Sequence, residues 1–242
     1  MELKDMKIKR IILEIRYPPH FAVNRNIWDI AEKFKENSTG FKITVSNGIA
    51  IEKPEVCTEL TAEIHRASYS AENVSDVNKV IRDASDFLQH IIDLHGISLI
   101  GRLGSRFYYM LSEEKEFNRE YYAELISKTT KLVENGGFPP VSTGGLVLRF
   151  PESERGIRFG VFSGDKEVIM RYHDFHNSPE FLQPCILFDI DLCKDQVATG
   201  FIERKGFRPK KFSIKEEIQA AHKQSLSFVS RYLRLLEEKG NA

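Results

Sequence analysis

The chain is poor in cysteine, has one tryptophan, and carries no excess charge of either sign. Its three cysteines, Cys57, Cys185 and Cys193, make no C-x-x-C or other metal-ligand spacing. So sparse and odd a set excludes a disulfide scaffold and fits a reducing compartment. Lysine plus arginine (35) equals aspartate plus glutamate (35), so no global field recruits nucleic acid or an anionic membrane. No apolar run approaches the roughly 18 residues of a membrane span. The first residues, MELKDMKIKR, lead straight into a strand pattern without a signal-peptide profile. The expectation is a cytoplasmic protein with no membrane partner. Neither G-x-x-x-x-G-K-[ST] nor G-x-S-x-G occurs, and Gly101-Arg-Leu-Gly104 does not open a phosphate-binding helix.

What is present is an ordinary globular composition, 41% hydrophobic and 29% charged, in 242 residues. Lys7 to Tyr17 is a strand pattern closed by Pro18-Pro19. Asn26 reads as the N-cap of a helix with Ile27, Ile30, Ala31 and Phe34 on its apolar face. Ser46-Asn47-Gly48, between Phe41–Val45 and Ile49–Lys53, is a hairpin signal. Thr58 to Tyr69 reads as one further strand. Ser75 is placed to cap a long helix with Val77, Val80, Ile81, Ala84, Leu88 and Ile91 at helical spacing, stopped by Gly96. Ile97 to Met110 follows as a central strand, with Arg102, Gly104, Arg106 and Tyr108 sharing a face.

The first half therefore has βαββαβ, ferredoxin-like order with an extra hairpin. In the second half Ser112 is placed to cap a helix reaching about Asn135, and Phe138 to Gly145 is the candidate boundary. Strand patterns follow at Leu146–Phe150, Ile157–Phe162, Glu167–Tyr172 and Ile186–Leu192, then a basic connection from Lys194 to Lys211. Ser213 with Glu216 forms a capping-box pattern before a helix whose stripe is Ile214, Ile218, Ala221, Ser225, Val229, Tyr232 and Leu236. The expected architecture is α+β, in two intimately packed halves, residues 1–111 and 112–242. The second is a four-stranded antiparallel sheet with a long C-terminal helix. Short loops argue against a flexible linker, so one continuous domain is equally compatible.

Four pieces in order carry a family resemblance: ILEIRY (Ile12 to Tyr17), Arg102-Leu-Gly104-Ser-Arg106-Phe107, FDIDLC (Phe188 to Cys193) and the closing helix from His222 to Glu237. Together they resemble a sporadically distributed, functionally uncharacterised family of prokaryotic proteins. That family shows an EIRF-like first strand, a central R-x-G-x-R-[FY] strand, a late D-I-D strand and a C-terminal helix. It often places Pro-Pro before the first strand, whereas Pro18-Pro19 follow it here. The resemblance supplies no catalytic residues. Sporadic distribution implies horizontal mobility, and with it a place in a defence or toxin–antitoxin cassette.

Three sets of residues bear on function. Arg16, Arg102 and Arg106 can form an anion site, or pair with Glu14 and tie the central strand to its neighbour. Arg204, Lys205, Phe207, Arg208, Lys210 and Lys211 interleave charge with aromatic rings, which suits single-stranded nucleic acid. His173 and His176 with Asp189 and Asp191 have metal-ligand chemistry, but sit at a strand end and turn that points the histidines apart. The competing view of these is a solvated loop and outward-facing aspartates. The expectation is a non-enzymatic binding or accessory protein with a protein partner and no cofactor. The alternatives are a single-stranded nucleic-acid (RNA) binder using the basic loop and a metal-dependent hydrolase.

Overall fold

A computed structural model describes residues 6–112, 144–150, 155–164, 185–198 and 212–240. Along the chain run β1 (Lys7–Arg16), α1 (Ala22–Arg25), α2 (Ile27–Phe34), β2 (Gly40–Ile43), β3 (Ile49–Lys53), a 3-10 turn (Pro54–Val56), β4 (Thr58–Ala62) and β5 (Arg66–Glu72). Then come α3 (Val77–His95), β6 (Leu99–Ser112), β7 (Gly144–Phe150), β8 (Gly156–Gly164), β9 (Cys185–Ala198) and α4 (Ile214–Gly240). The described strands form one sheet in the order β2-β3-β4-β5-β1-β6-β9-β8-β7, antiparallel at every pairing. The class is α+β, as the alternation of patterns required.

The ferredoxin-like order holds along the chain but not in the sheet. A split βαβ unit gives its first strand a parallel neighbour. Here β1 lies between β5 and β6 and is antiparallel to both. The reason is the meander: β2 to β5 are successive hairpin strands, so β5 reaches β1 running the opposite way. The two halves also share one sheet, because β6 pairs with β9 from Leu99↔Ala198 to Ser112↔Cys185. β9 extends well past Leu192, into the residues read as a basic connection. The helix expected up to Asn135 and the strand expected at Glu167–Tyr172 lie outside the described residues.

Period-two alternation buries one face of this sheet. Ile11, Leu13 and Ile15 of β1, Phe107 and Tyr109 of β6, Phe159 of β8, and Phe188, Ile190 and Leu192 of β9 join one core. α3 contributes Ile81, Ala84, Leu88, Ile91 and Ile92, and α4 contributes Ile218, Ala221 and Val229. Ser225, fully buried on the stripe of α4, is satisfied there: it donates to the His222 carbonyl (2.7 Å) and shares a hydrogen bond with the Tyr109 hydroxyl. Tyr232, on the same stripe, packs its ring against Phe159 and Phe188.

Local expectations fared unevenly. Ser213 caps α4, its Oγ accepting from Glu216 N at 3.3 Å. Asp76 rather than Ser75 caps α3, its Oδ1 accepting from Lys79 N at 3.0 Å; a carboxylate there also meets the positive end of the helix dipole. Asn26 makes no side-chain cap: it also closes α1, its N–H donating to the Ala22 and Val23 carbonyls, and its backbone (φ −104°, ψ 13°) is outside the extended conformation typical of an N-cap. The single strand read over Thr58–Tyr69 is a hairpin of β4 and β5, turning at residues 63–65. Glu63 holds that turn. Its buried carboxylate accepts from Arg66 Nε at 2.6 Å, and its carbonyl accepts from the Tyr17 hydroxyl at 2.7 Å. The Asn47-Gly48 hairpin forms as expected, and Gly48 is required by contact: a Cβ there would lie 2.1 Å from the Ala62 carbonyl oxygen.

Candidate functional site

The face opposite the core helices carries the residues singled out on β1 and β6. The register sets Arg66, Arg16 and Arg102 side by side across β5, β1 and β6. Three adjacent guanidinium groups repel unless each has a carboxylate. Each has one. Arg66 is held by Glu63, Arg16 by Glu14 of its own strand (Nε–Oε1 2.6 Å), and Arg102 by Asp191 (Nη2–Oδ2 3.1 Å).

Arg106 makes the strongest of these pairs. Its Nε donates to Asp189 Oδ1 at 2.7 Å and its Nη2 to Oδ2 at 2.6 Å, a two-pronged geometry that only arginine provides. Asp189 is 1% exposed, and Arg158 Nη2 stands 3.8 Å from the same carboxylate. The guanidinium also lies 4.8 Å from the Tyr108 ring centre. Burial disfavours the charge on Arg106, but the Asp189 hydrogen bonds and charge outweigh it and raise its pKa above the ordinary arginine value. Burial pushes the Tyr108 hydroxyl up as well, with Asp189 adding to the effect.

These contacts sharpen one expectation and correct another. Glu14 is hydrogen-bonded to Arg16, two residues along its own strand, while its charge also favours the charged forms of Arg102 on β6 and Arg66 on β5. The hydrogen-bonded arginine–carboxylate ties of the central strand run from β6 to β9. Asp189 does not face solvent, since it is enclosed with its arginine. Arg102 and Arg106 are thus brought together with Asp189 and Asp191, not with each other on one anion. Their parity on β6 and β9 was readable, but the pairing of those two strands was not. His173, His176 and the loop Arg204, Lys205, Phe207, Arg208, Lys210 and Lys211 lie outside the described residues. Among the described residues, no three His, Cys, Asp or Glu side chains converge as a metal set.

Three features were not anticipated. The first is the β2 edge of the sheet, where Trp28 (63% exposed) meets Phe41 edge-on at 5.2 Å and Ile43 and Val45 are also exposed. The alternation Phe41-Lys42-Ile43 was visible in the sequence; that its apolar side lies open was not. The second is a cleft of about 610 Å³ between the end of α2, the 3-10 turn, β4–β5 and the start of α3. Lys33, Lys53, Cys57, Lys79 and Asp83 line it above Tyr69, whose hydroxyl is pushed up to about 12 by burial and by Asp83. The third is a histidine group. His20 and His95 have ring centres 5.6 Å apart, and burial, then His20 and His90, push the His95 pKa down to about 4.

Among the described residues no helix is long and apolar enough to cross a membrane. Compared with protein-family models the chain matches none, and a search of curated proteins returns no match.

Proposed function

We propose that the protein is a non-enzymatic binding module that docks an extended segment of a partner protein along the β2 edge. The observation that carries this is the exposed cluster of Trp28, Phe41, Ile43 and Val45 beside a strand that pairs on one side only within the described sheet. Natural proteins blunt free edges with charge, proline or a cover, because an open edge invites another strand. This edge strand is short and carries Lys42, paired with Glu52, yet the edge presents the chain's one tryptophan and two β-strand side chains, Phe41 and Ile43, that project to the same side. An added strand would take backbone hydrogen bonds from β2 and place alternate side chains against Trp28 and Phe41. Aromatic anchors of this kind dominate binding energy at protein interfaces. The paired arginines and carboxylates of β1, β6 and β9 then serve as the frame that holds the sheet. The family resemblance adds the setting, an accessory component of a mobile defence or toxin–antitoxin cassette.

The test is a photo-crosslinking amino acid at position 43, followed by affinity measurement with the captured protein after purification. Trp28→Ala and Ile43→Lys should each weaken that complex at least about tenfold, a loss of roughly 1.4 kcal/mol. Unchanged affinity in both variants would sink the proposal. Crosslinking of two copies of this chain, with a dimer mass in solution, would instead make the edge a self-association surface. Retention of labelled oligonucleotide that is lost on replacing Arg204, Lys205, Lys210 and Lys211 would favour the nucleic-acid alternative.

A further inference from the structure

His95 is the last residue of α3 and is 5% exposed, yet neither of its ring nitrogens has a hydrogen-bond partner. His20 faces it from the turn after Pro18-Pro19, held there by its N–H donating to the Ile64 carbonyl at 2.6 Å. Its Nδ1 is also buried and without a partner. Buried polar atoms left unpaired each cost about 1–3 kcal/mol, so two imidazoles that face each other with unpaired nitrogens call for an occupant.

We infer that His20 and His95 form a binding site for a divalent transition-metal cation of the zinc type, held by two imidazole nitrogens and completed by oxygen. The spacing of the rings fits. A zinc–nitrogen bond of about 2.0–2.1 Å puts each ring centre about 3.2 Å from the ion, so two imidazoles at a tetrahedral angle have centres about 5.3 Å apart. The observed separation is 5.6 Å, with the rings inclined at 43°. The C-terminal end of α3, where the helix dipole is negative, supplies a favourable field for a cation. Neutral imidazole suits zinc, copper and nickel, whereas magnesium and calcium take oxygen ligands. His90 has its Nδ1 against the Lys33 ammonium at 2.9 Å, and its Nε2 is also buried without a partner. It does not converge with His20 and His95, since among the described residues no three His, Cys, Asp or Glu side chains form a metal set. With two protein nitrogens and no third His, Cys, Asp or Glu among the described residues, the ion is exchangeable. Water supplies its remaining positions.

Isothermal titration of the untagged full chain with zinc chloride tests this. One ion per chain in the micromolar range is expected, weakened at least about tenfold by His20→Ala and by His95→Ala. His20 is only half-buried, so His20→Ala keeps the test valid if the His95 variant fails to fold. X-ray absorption of the zinc-loaded protein should show two imidazole ligands. Binding that survives both substitutions, or a sulfur-ligated ion, would overturn the inference. So would a titration without heat above the buffer blank, accompanied by unchanged histidine ring ¹⁵N shifts, since the site would then hold water only.

Discussion

Arg102 reaches Asp191, although its cross-strand partner in the ladder is Asp195. Its side chain runs along β6 past Gly104, where its Nε lies 3.9 Å from where a Cβ would stand. Arg106 leans the same way, passing its opposite residue Asp191 to hold Asp189. The glycine between the two arginines therefore keeps open the lane along which the first one lies.

Gly104→Ala should be nearly neutral, because its methyl would sit in ordinary contact with Arg102 and the Glu14 carbonyl. Gly104→Val carries its extra methyl groups into the arginine and should cost about 1–3 kcal/mol by overpacking. Urea denaturation of the two variants checks the contrast. Equal midpoints would show that Arg102 does not depend on that lane.

The two arginines should differ in worth. Arg106→Ala strips the two-pronged donor from an aspartate that is 1% exposed, and should cost about 3 kcal/mol, with Arg158 offering partial compensation. Arg102→Ala leaves Asp191 at 22% side-chain exposure, where water can replace the lost partner, so a cost of about 1 kcal/mol is expected. Chemical denaturation decides it, and a larger loss in the Arg102 variant would contradict the geometry.

At the start of α4, Glu217 accepts hydrogen bonds from Arg155 and from Lys194, the latter at 3.1 Å. Burial alone would raise its pKa, but the two cations outweigh burial and hold the carboxyl below its usual 4.5. The native state thus favours the charged form. The stability Glu217 contributes is complete above the unfolded value and disappears as pH falls through the native one. Glu217→Gln should flatten the acid side of the stability–pH curve and change its neutral side by a constant offset. Thermal midpoints of wild type and variant between pH 7 and pH 3 measure this.

Gly48→Ala places a methyl carbon where the Ala62 carbonyl and Glu63 stand, so the β2–β3 turn must move off β4. A loss of about 2–3 kcal/mol is expected. Because Trp28 packs against Phe41 on β2, the sole tryptophan reports the displacement. Its fluorescence should be readily quenched by acrylamide in wild type, and more so in the Gly48 variant.

Patterns of local origin were legible in the residues. Ile11, Leu13 and Ile15 alternate because one face of β1 is buried, and Ile218, Ala221, Ser225 and Val229 recur at helical spacing because α4 lies on that face. Asn47-Gly48 announced its hairpin, and Arg102, Gly104 and Arg106 had to share a side. Which strand lies beside which is set by contacts distant in sequence, and alternation is blind to those. So it was only in the folded sheet that β9 came to lie along β6, which turned Asp189 from a surface residue into the buried partner of Arg106. The same holds for His20 and His95, far apart along the chain, and for the open side of β2, whose apolar alternation reads alike whether a neighbour covers it or not.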